Sequence, residues 1–110
     1  MPRDTNDLLH GTLDVLVLKT LSWGPMHGYG IAQWIEERTR GDLAVVDAAL
    51  YKSLHRLEQS GAVGSEWGLS ENNRRAKYYS LTAKGRNLLK AESATWRRYA
   101  AAVFRVLEAT

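Results

Sequence analysis

A chain of 110 residues, 45% hydrophobic and 25% charged, fits one soluble globular domain with a small core, and such domains often gain stability by dimerising. Without cysteine there are no disulfides, thiol catalysis or cysteine-based zinc sites, which suits the cytoplasm. No apolar run reaches the roughly 18 residues of a membrane helix, and Arg3, Asp4 and Asp7 leave no apolar stretch for a secretory signal.

The net charge of +3 is unevenly spread. Residues 1–50 hold four Lys/Arg against seven Asp/Glu, whereas 51–86 hold seven against three and 87–110 hold four against two. Local basic clustering of this kind is the electrostatic footprint of a nucleic-acid binder. Its plain alternative is a solvated surface rich in lysine and arginine.

An arm is expected over 1–6 and a first helix over 7–22. Leu9, Leu13, Leu16 and Val17 share one face of that helix, and Leu18 and Leu21 widen it. Trp23-Gly24-Pro25 ends it, because glycine suits a helix cap and proline cannot continue a helix. A second helix is expected over 28–39, turning Ile31, Trp34 and Ile35 to the core. Gly41 and Asp42 turn the chain, and 43–46 reads as a short extended piece.

A third helix follows over 47–60, with Leu50, Leu54 and Leu57 as its apolar stripe, Tyr51 beside them and Asp47 in the N-cap position. Ser60-Gly61 closes it. Short strands are expected at 63–67 and 76–81, joined by a loop carrying Asn72, Asn73, Arg74 and Arg75. Adjacent strand residues face opposite sides, so one of Tyr78 and Tyr79 packs on the core and the other faces outward.

Thr82 caps a last helix over 83–109. Its Leu89, Trp96, Tyr99, Val103 and Val106 keep close to the 3.5-residue spacing of a coiled-coil seam, interrupted by Glu92. Such a helix carries more apolar surface than one small core covers, so a partner chain is expected. The fold class is α+β, mainly α. A winged helix-turn-helix with a two-stranded wing (1–81) shares one structural unit with a long C-terminal dimerisation helix (82–110).

With the leucines inward, Ala49, Lys52, Ser53 and Arg56 are expected on the outer face of the third helix. Recognition helices read base edges with their N-terminal residues. Ser53 donates or accepts, Ala49 suits a thymine methyl, and Lys52 or Arg56 suits guanine or phosphate. Asn72, Asn73, Arg74 and Arg75, with Lys77 on the adjoining strand, suit phosphate or minor-groove contact.

At His27-Gly28-Tyr29 the second helix begins with free N–H groups that attract phosphate, and Gly28 lets a DNA strand approach. Tyr29 and Tyr51 either donate hydroxyls to phosphate or pack as core residues. The bland readings are a solvated helix face and a polar turn.

His10, His27 and His55 lie on separate segments, and His55 three residues before Glu58 is more often a surface pair than a metal site. No phosphate loop, nucleophile–base pair or paired carboxylates occur, so neither catalytic, metal nor cofactor chemistry is expected. Trp96 and Tyr99 suit stacking on a flat aromatic effector, with interface packing as the simpler account.

The sequence resembles the PadR family of transcriptional regulators over nearly its whole length. The resemblance rests on Gly11-Thr12-Leu13-Asp14, Gly24-Pro25-Met26-His27-Gly28-Tyr29, Leu50-Tyr51, Leu54-His55-Arg56-Leu57-Glu58, the wing from Ser70 to Tyr79, and Leu81-Thr82-Ala83-Lys84-Gly85-Arg86. The segment Ser70-Glu71-Asn72-Asn73-Arg74-Arg75 resembles a subgroup abundant in acidobacteria.

The resemblance implies a short, single-domain homodimer joined through its first and last helices, which brings Leu9 and Leu13 to the interface with Leu89, Trp96, Tyr99, Val103 and Val106. It also implies repression from a near-palindromic operator in double-stranded DNA, and for some relatives release by aromatic ligands near the interface. The sequence departs from the family pattern at Ala48-Ala49, where Gly followed by Ser or Thr is usual, and at Lys52, where proline is usual. The operator therefore cannot be borrowed from relatives. The competing reading is a winged-helix protein-interaction or ligand-sensing module that does not read DNA.

Overall fold

The computed structural model describes residues 5–110, with side chains from Gly11 onward. Its elements run α1 (Thr5–Leu21), β1 (Met26–His27), α2 (Gly28–Arg38), α3 (Asp47–Gln59), β2 (Val63–Leu69), β3 (Arg75–Leu81) and α4 (Ala83–Leu107). Of the arm expected over 1–6, residues 1–4 lie outside the described residues and 5–6 belong to α1. The side chains of Leu9 and His10 also lie outside the described residues.

Helix α1 is the centre of the molecule, packed by α2, α3, α4 and β3. Leu13, Val15, Val17, Leu18 and Leu21 are all buried, as befits a helix that is apolar nearly all round. Thr20 is buried among them and donates to the Leu16 carbonyl, so its hydroxyl is satisfied. Leu13, expected in a dimer seam, is only 7% exposed and belongs to this chain's own core. Little of its side chain remains for a second copy.

Gly24 ends the α1 turn at φ +144°, a conformation that favours glycine. The chain then forms β1, and the sheet is three-stranded in the order β1-β3-β2 rather than a two-stranded wing alone. Met26 pairs with Tyr79 and His27 with Tyr78, while β2 and β3 are registered from Val63–Leu81 to Leu69–Arg75. A strand of two residues is too short to show an alternation of period two.

The piece at 43–46 is not a strand. Its Leu43 and Val45 amides are taken by the Thr39 hydroxyl and the Glu36 carboxylate of α2. The α3 cap is Val46 rather than Asp47, and no side chain bonds the end of the helix. Thr82 caps α4 as expected, its hydroxyl accepting from the Gly85 amide at 3.0 Å. Gly85 is required there because a Cβ would sit 2.0 Å from the Ala62 carbonyl oxygen.

Leu88 and Leu89 pack against the core at the root of α4. Farther along, Tyr99, Val103, Phe104, Val106 and Leu107 are exposed. With overall dimensions of 56 × 28 × 26 Å, the distal part of this 25-residue helix extends beyond the globular core. No helix among the described residues is long and apolar enough to cross a membrane.

Candidate nucleic-acid interface

Leu50, Leu54 and Leu57 fix the buried side of α3 as expected, but of the four residues expected on its outer face only Lys52 and Arg56 are exposed. The exposed stripe is Ala48, Tyr51, Lys52 and His55, at helical spacings of three and four. Ala49 is half-buried against the core. Ser53 is fully buried and donates to the Asp14 carboxylate of α1 at 2.5 Å, so it has no surface to offer a base. Arg56 stays exposed but donates to the same Asp14 oxygen at 2.8 Å. The edge carrying Ala49, Ser53 and Arg56 therefore faces α1, because Asp14 supplies a partner for two polar groups there.

The wing is tied to α3 through Glu58. Its carboxylate accepts from the Ser65 hydroxyl on β2 and from Lys77 Nζ on β3, the latter at 3.4 Å. The Ser65 hydrogen bond, with Lys77 and His55 nearby, holds the Glu58 carboxyl below its ordinary value against the opposing effect of desolvation. Lys77 also lies 5.6 Å from the Tyr79 ring centre. Tyr79 is the buried member of the tyrosine pair, and burial raises its phenol pKa above the usual 10.0.

Tyr78 takes the other face of the sheet. Its hydroxyl donates to the Leu69 carbonyl at 2.8 Å, and its ring meets His27 edge-on at 5.4 Å. Gly68, diagonal to it across the ladder, leaves room for the ring: an added Cβ there would lie 3.2 Å from Tyr78. At the tip, Asn73 adopts φ +59° and its amide donates to the Ser70 carbonyl. The turn leaves Asn72, Asn73, Arg74 and Arg75 exposed.

The start of α2 completes the surface. His27 caps the helix by accepting from the Gly30 amide on Nδ1 at 2.9 Å. The close approach that Gly28 permits is made by this chain itself: a Cβ there would stand 2.6 Å from the Tyr51 hydroxyl oxygen. Tyr51 is nonetheless 50% exposed and Tyr29 is 74% exposed, so both present their rings outward.

An open groove of about 550 Å³ lies between these parts, lined by Tyr29 and Tyr51 on one side and Trp67, Arg74, Arg75 and Lys77 on the other. A second depression, along Ala48, Lys52, His55 and Glu58, shares Tyr51, Lys77 and Tyr79 with it. The outer stripe of α3, the wing and the α2 start thus adjoin one continuous surface. Trp67 and His55 were not picked out for this surface from the sequence. Trp67 is 59% exposed although apolar, and strand alternation alone marks it as sharing the Lys77 face.

Three helices, a sheet-borne hairpin wing and a cationic face between them define a winged helix-turn-helix protein. The family model for the PadR-like transcriptional regulators matches residues 17–91, and the chain belongs to that family. A transcriptional regulator from Clostridium thermocellum superposes with a TM-score of 0.81 at 26% identity, covering 94% of this chain and 97% of that one. A PadR family regulator from Eggerthella lenta gives 0.78 at 30% identity, covering 94% and 88% respectively. An uncharacterised protein of Lysinibacillus sphaericus is 29% identical over 91 residues, 83% of this chain and 84% of its own length.

Proposed function

We propose that this regulator is a sequence-specific binder of double-stranded DNA that works as a homodimeric repressor on a near-palindromic operator. The observation that carries the reading is the single surface shared by Lys52 of α3, Arg74 and Arg75 of the wing, and Tyr29 at the start of α2. Lys52, Tyr51 and His55 meet base edges in the major groove. Asn72, Asn73, Arg74 and Arg75 meet phosphates or the flanking minor groove, and Lys77 adds positive charge at the wing root. The two tyrosines place their hydroxyls toward phosphate. Arg56 and Ser53 act through Asp14 in positioning α3.

Exposed Tyr99, Val103 and Val106 support dimerisation through α4, with Phe104 and Leu107 widening the stripe. Trp96 and Tyr99 meet edge-to-face at 5.8 Å, and this pair is the place at which an aromatic effector would stack and relieve repression. Selection of bound fragments from a random DNA pool, followed by anisotropy titration over a range of salt, tests the reading. Recovery of a two-fold symmetric motif bound with steep salt dependence is the expected result. Recovery of no motif, with no binding at moderate salt, favours the non-DNA alternative.

A further inference from the structure

The indole of Trp67 is a large apolar group left 59% exposed on the sheet face that lines the groove. It is not idle there. The Arg75 guanidinium lies 4.6 Å from its ring centre. In the ladder Arg75 stands opposite Leu69 and Lys77 opposite Trp67, so the arginine reaches diagonally along one sheet face to cover the indole. A guanidinium over an indole is held by cation–π attraction, and its edge N–H groups stay free for an anion.

The neighbouring cations differ. Lys77 is engaged by Glu58 and Tyr79, whereas no ion pair or side-chain hydrogen bond involves the Arg74 guanidinium among the described residues. Arg75 is therefore the wing-tip cation whose side chain is fixed before any partner arrives.

We infer that Trp67 is a positioning residue for the DNA interface: it holds the Arg75 guanidinium over the groove, edge outward, ready for a backbone phosphate. This rests on the DNA-binding reading above. The preorganised arginine loses less side-chain freedom on binding than a free one. Trp67 acts through Arg75, so its removal costs phosphate contact rather than sequence choice.

The test has two parts. The stack is checked without DNA by fluorine NMR of protein labelled with 5-fluorotryptophan, where the resonance missing from Trp67→Phe identifies this ring among four tryptophans. That resonance should move in Arg75→Ala, and an unchanged position overturns the stack and the inference with it. DNA affinity is then measured against salt for wild type, Trp67→Ala, Trp67→Phe, Arg75→Ala and the Trp67→Ala/Arg75→Ala pair.

Each lost duplex phosphate contact lowers the slope of log K against log salt by about 0.9, or about 1.8 for two subunits. Trp67→Ala should flatten the slope toward that of Arg75→Ala, Trp67→Phe should restore most of it, and the double variant should be no worse than Arg75→Ala. Should Trp67→Ala fail to fold, Trp67→Phe and Trp67→Leu carry the comparison, with only the aromatic ring retaining the slope. A wild-type slope in the non-aromatic variant, or a further loss in the double variant, overturns the inference. Wild-type protein that binds no DNA while the stack is intact overturns the DNA-binding reading instead, and the positioning role falls with it.

Discussion

Arg56 of α3 and Asp14 of α1 are joined by a 2.8 Å ion pair, and the same Asp14 oxygen accepts the hydroxyl of buried Ser53. The leucine stripe sets which side of α3 is buried, and this one carboxylate on the central helix satisfies the polar groups along its edge.

Asp14→Ala should destabilise the fold by about 1–3 kcal/mol, because it leaves the buried Ser53 hydroxyl without its acceptor. The Arg56 pair, whose side chains are 43% and 30% exposed, adds less than about 1 kcal/mol. Adding Ser53→Ala to Asp14→Ala should recover part of the loss. Urea midpoints of the two single variants and the pair check this.

Glu58 makes stability acid-sensitive. Its carboxyl is held below 4.5 in the folded protein, chiefly by the Ser65 hydroxyl. The unfolded chain therefore takes up this proton more readily, so the stabilisation is complete above about pH 4.5 and is lost as pH falls through the lower folded-state value. Glu58→Gln should lower stability at neutral pH and flatten its decline over that acid window. Denaturant melts from pH 3 to 7, taken as roughly the window in which carboxylates titrate, would show no change in slope if the tether is unimportant.

Gly85→Ala should cost about 3 kcal/mol, the upper part of the range for overpacking, since a Cβ meets a backbone carbonyl that has no free rotation to yield. Gly11→Ala, in α1 with no atom of the described residues within 4 Å of its added Cβ, should be neutral or up to about 1 kcal/mol stabilising. Thermal melts that give the two variants equal midpoints would contradict the packing described at Ala62.

The wing and α3 should fail in different ways. Arg74→Ala with Arg75→Ala should weaken binding to every duplex and flatten its salt dependence. Lys52→Ala should change which sequence is preferred, while Ser53→Ala, being buried, should act through stability alone. Competition between specific and random duplexes separates the two effects, and unchanged binding by the wing pair at every salt concentration removes the wing from the interface.

Val103→Glu with Leu107→Glu should convert a dimer to monomer, because both side chains lie on the exposed apolar stripe of α4 and make little contact with the core. Sedimentation velocity of wild type and variant decides it. A wild-type monomer at micromolar concentration would remove α4 as the dimer contact.

Much of this architecture was legible from periodicity: the leucine stripe of α3, the division of roles between Tyr78 and Tyr79, and the Thr82 cap all stand where spacing puts them. The outer face of α3 was not. Spacing alone puts Ser53 on the inner side, three residues after Leu50 and four before Leu57, so its outward placement misread the stripe; only its partner Asp14, 39 residues away, leaves no local pattern. The β1 strand escaped for a related reason, since two residues acquire their identity only from the β3 edge they join. The role of Trp67 likewise depends on Arg75, eight residues away across the hairpin, whose guanidinium lies on its ring.

The Glu58 bridge has a mechanical corollary. By clasping both strands of the hairpin it makes the wing and α3 a caliper with a set opening, unable to splay without first breaking two bonds. If the proposed DNA-binding role holds, a duplex contacting both parts would do more of the adjusting, and base-pair stretches that bend or narrow easily would be favoured even where no side chain touches them.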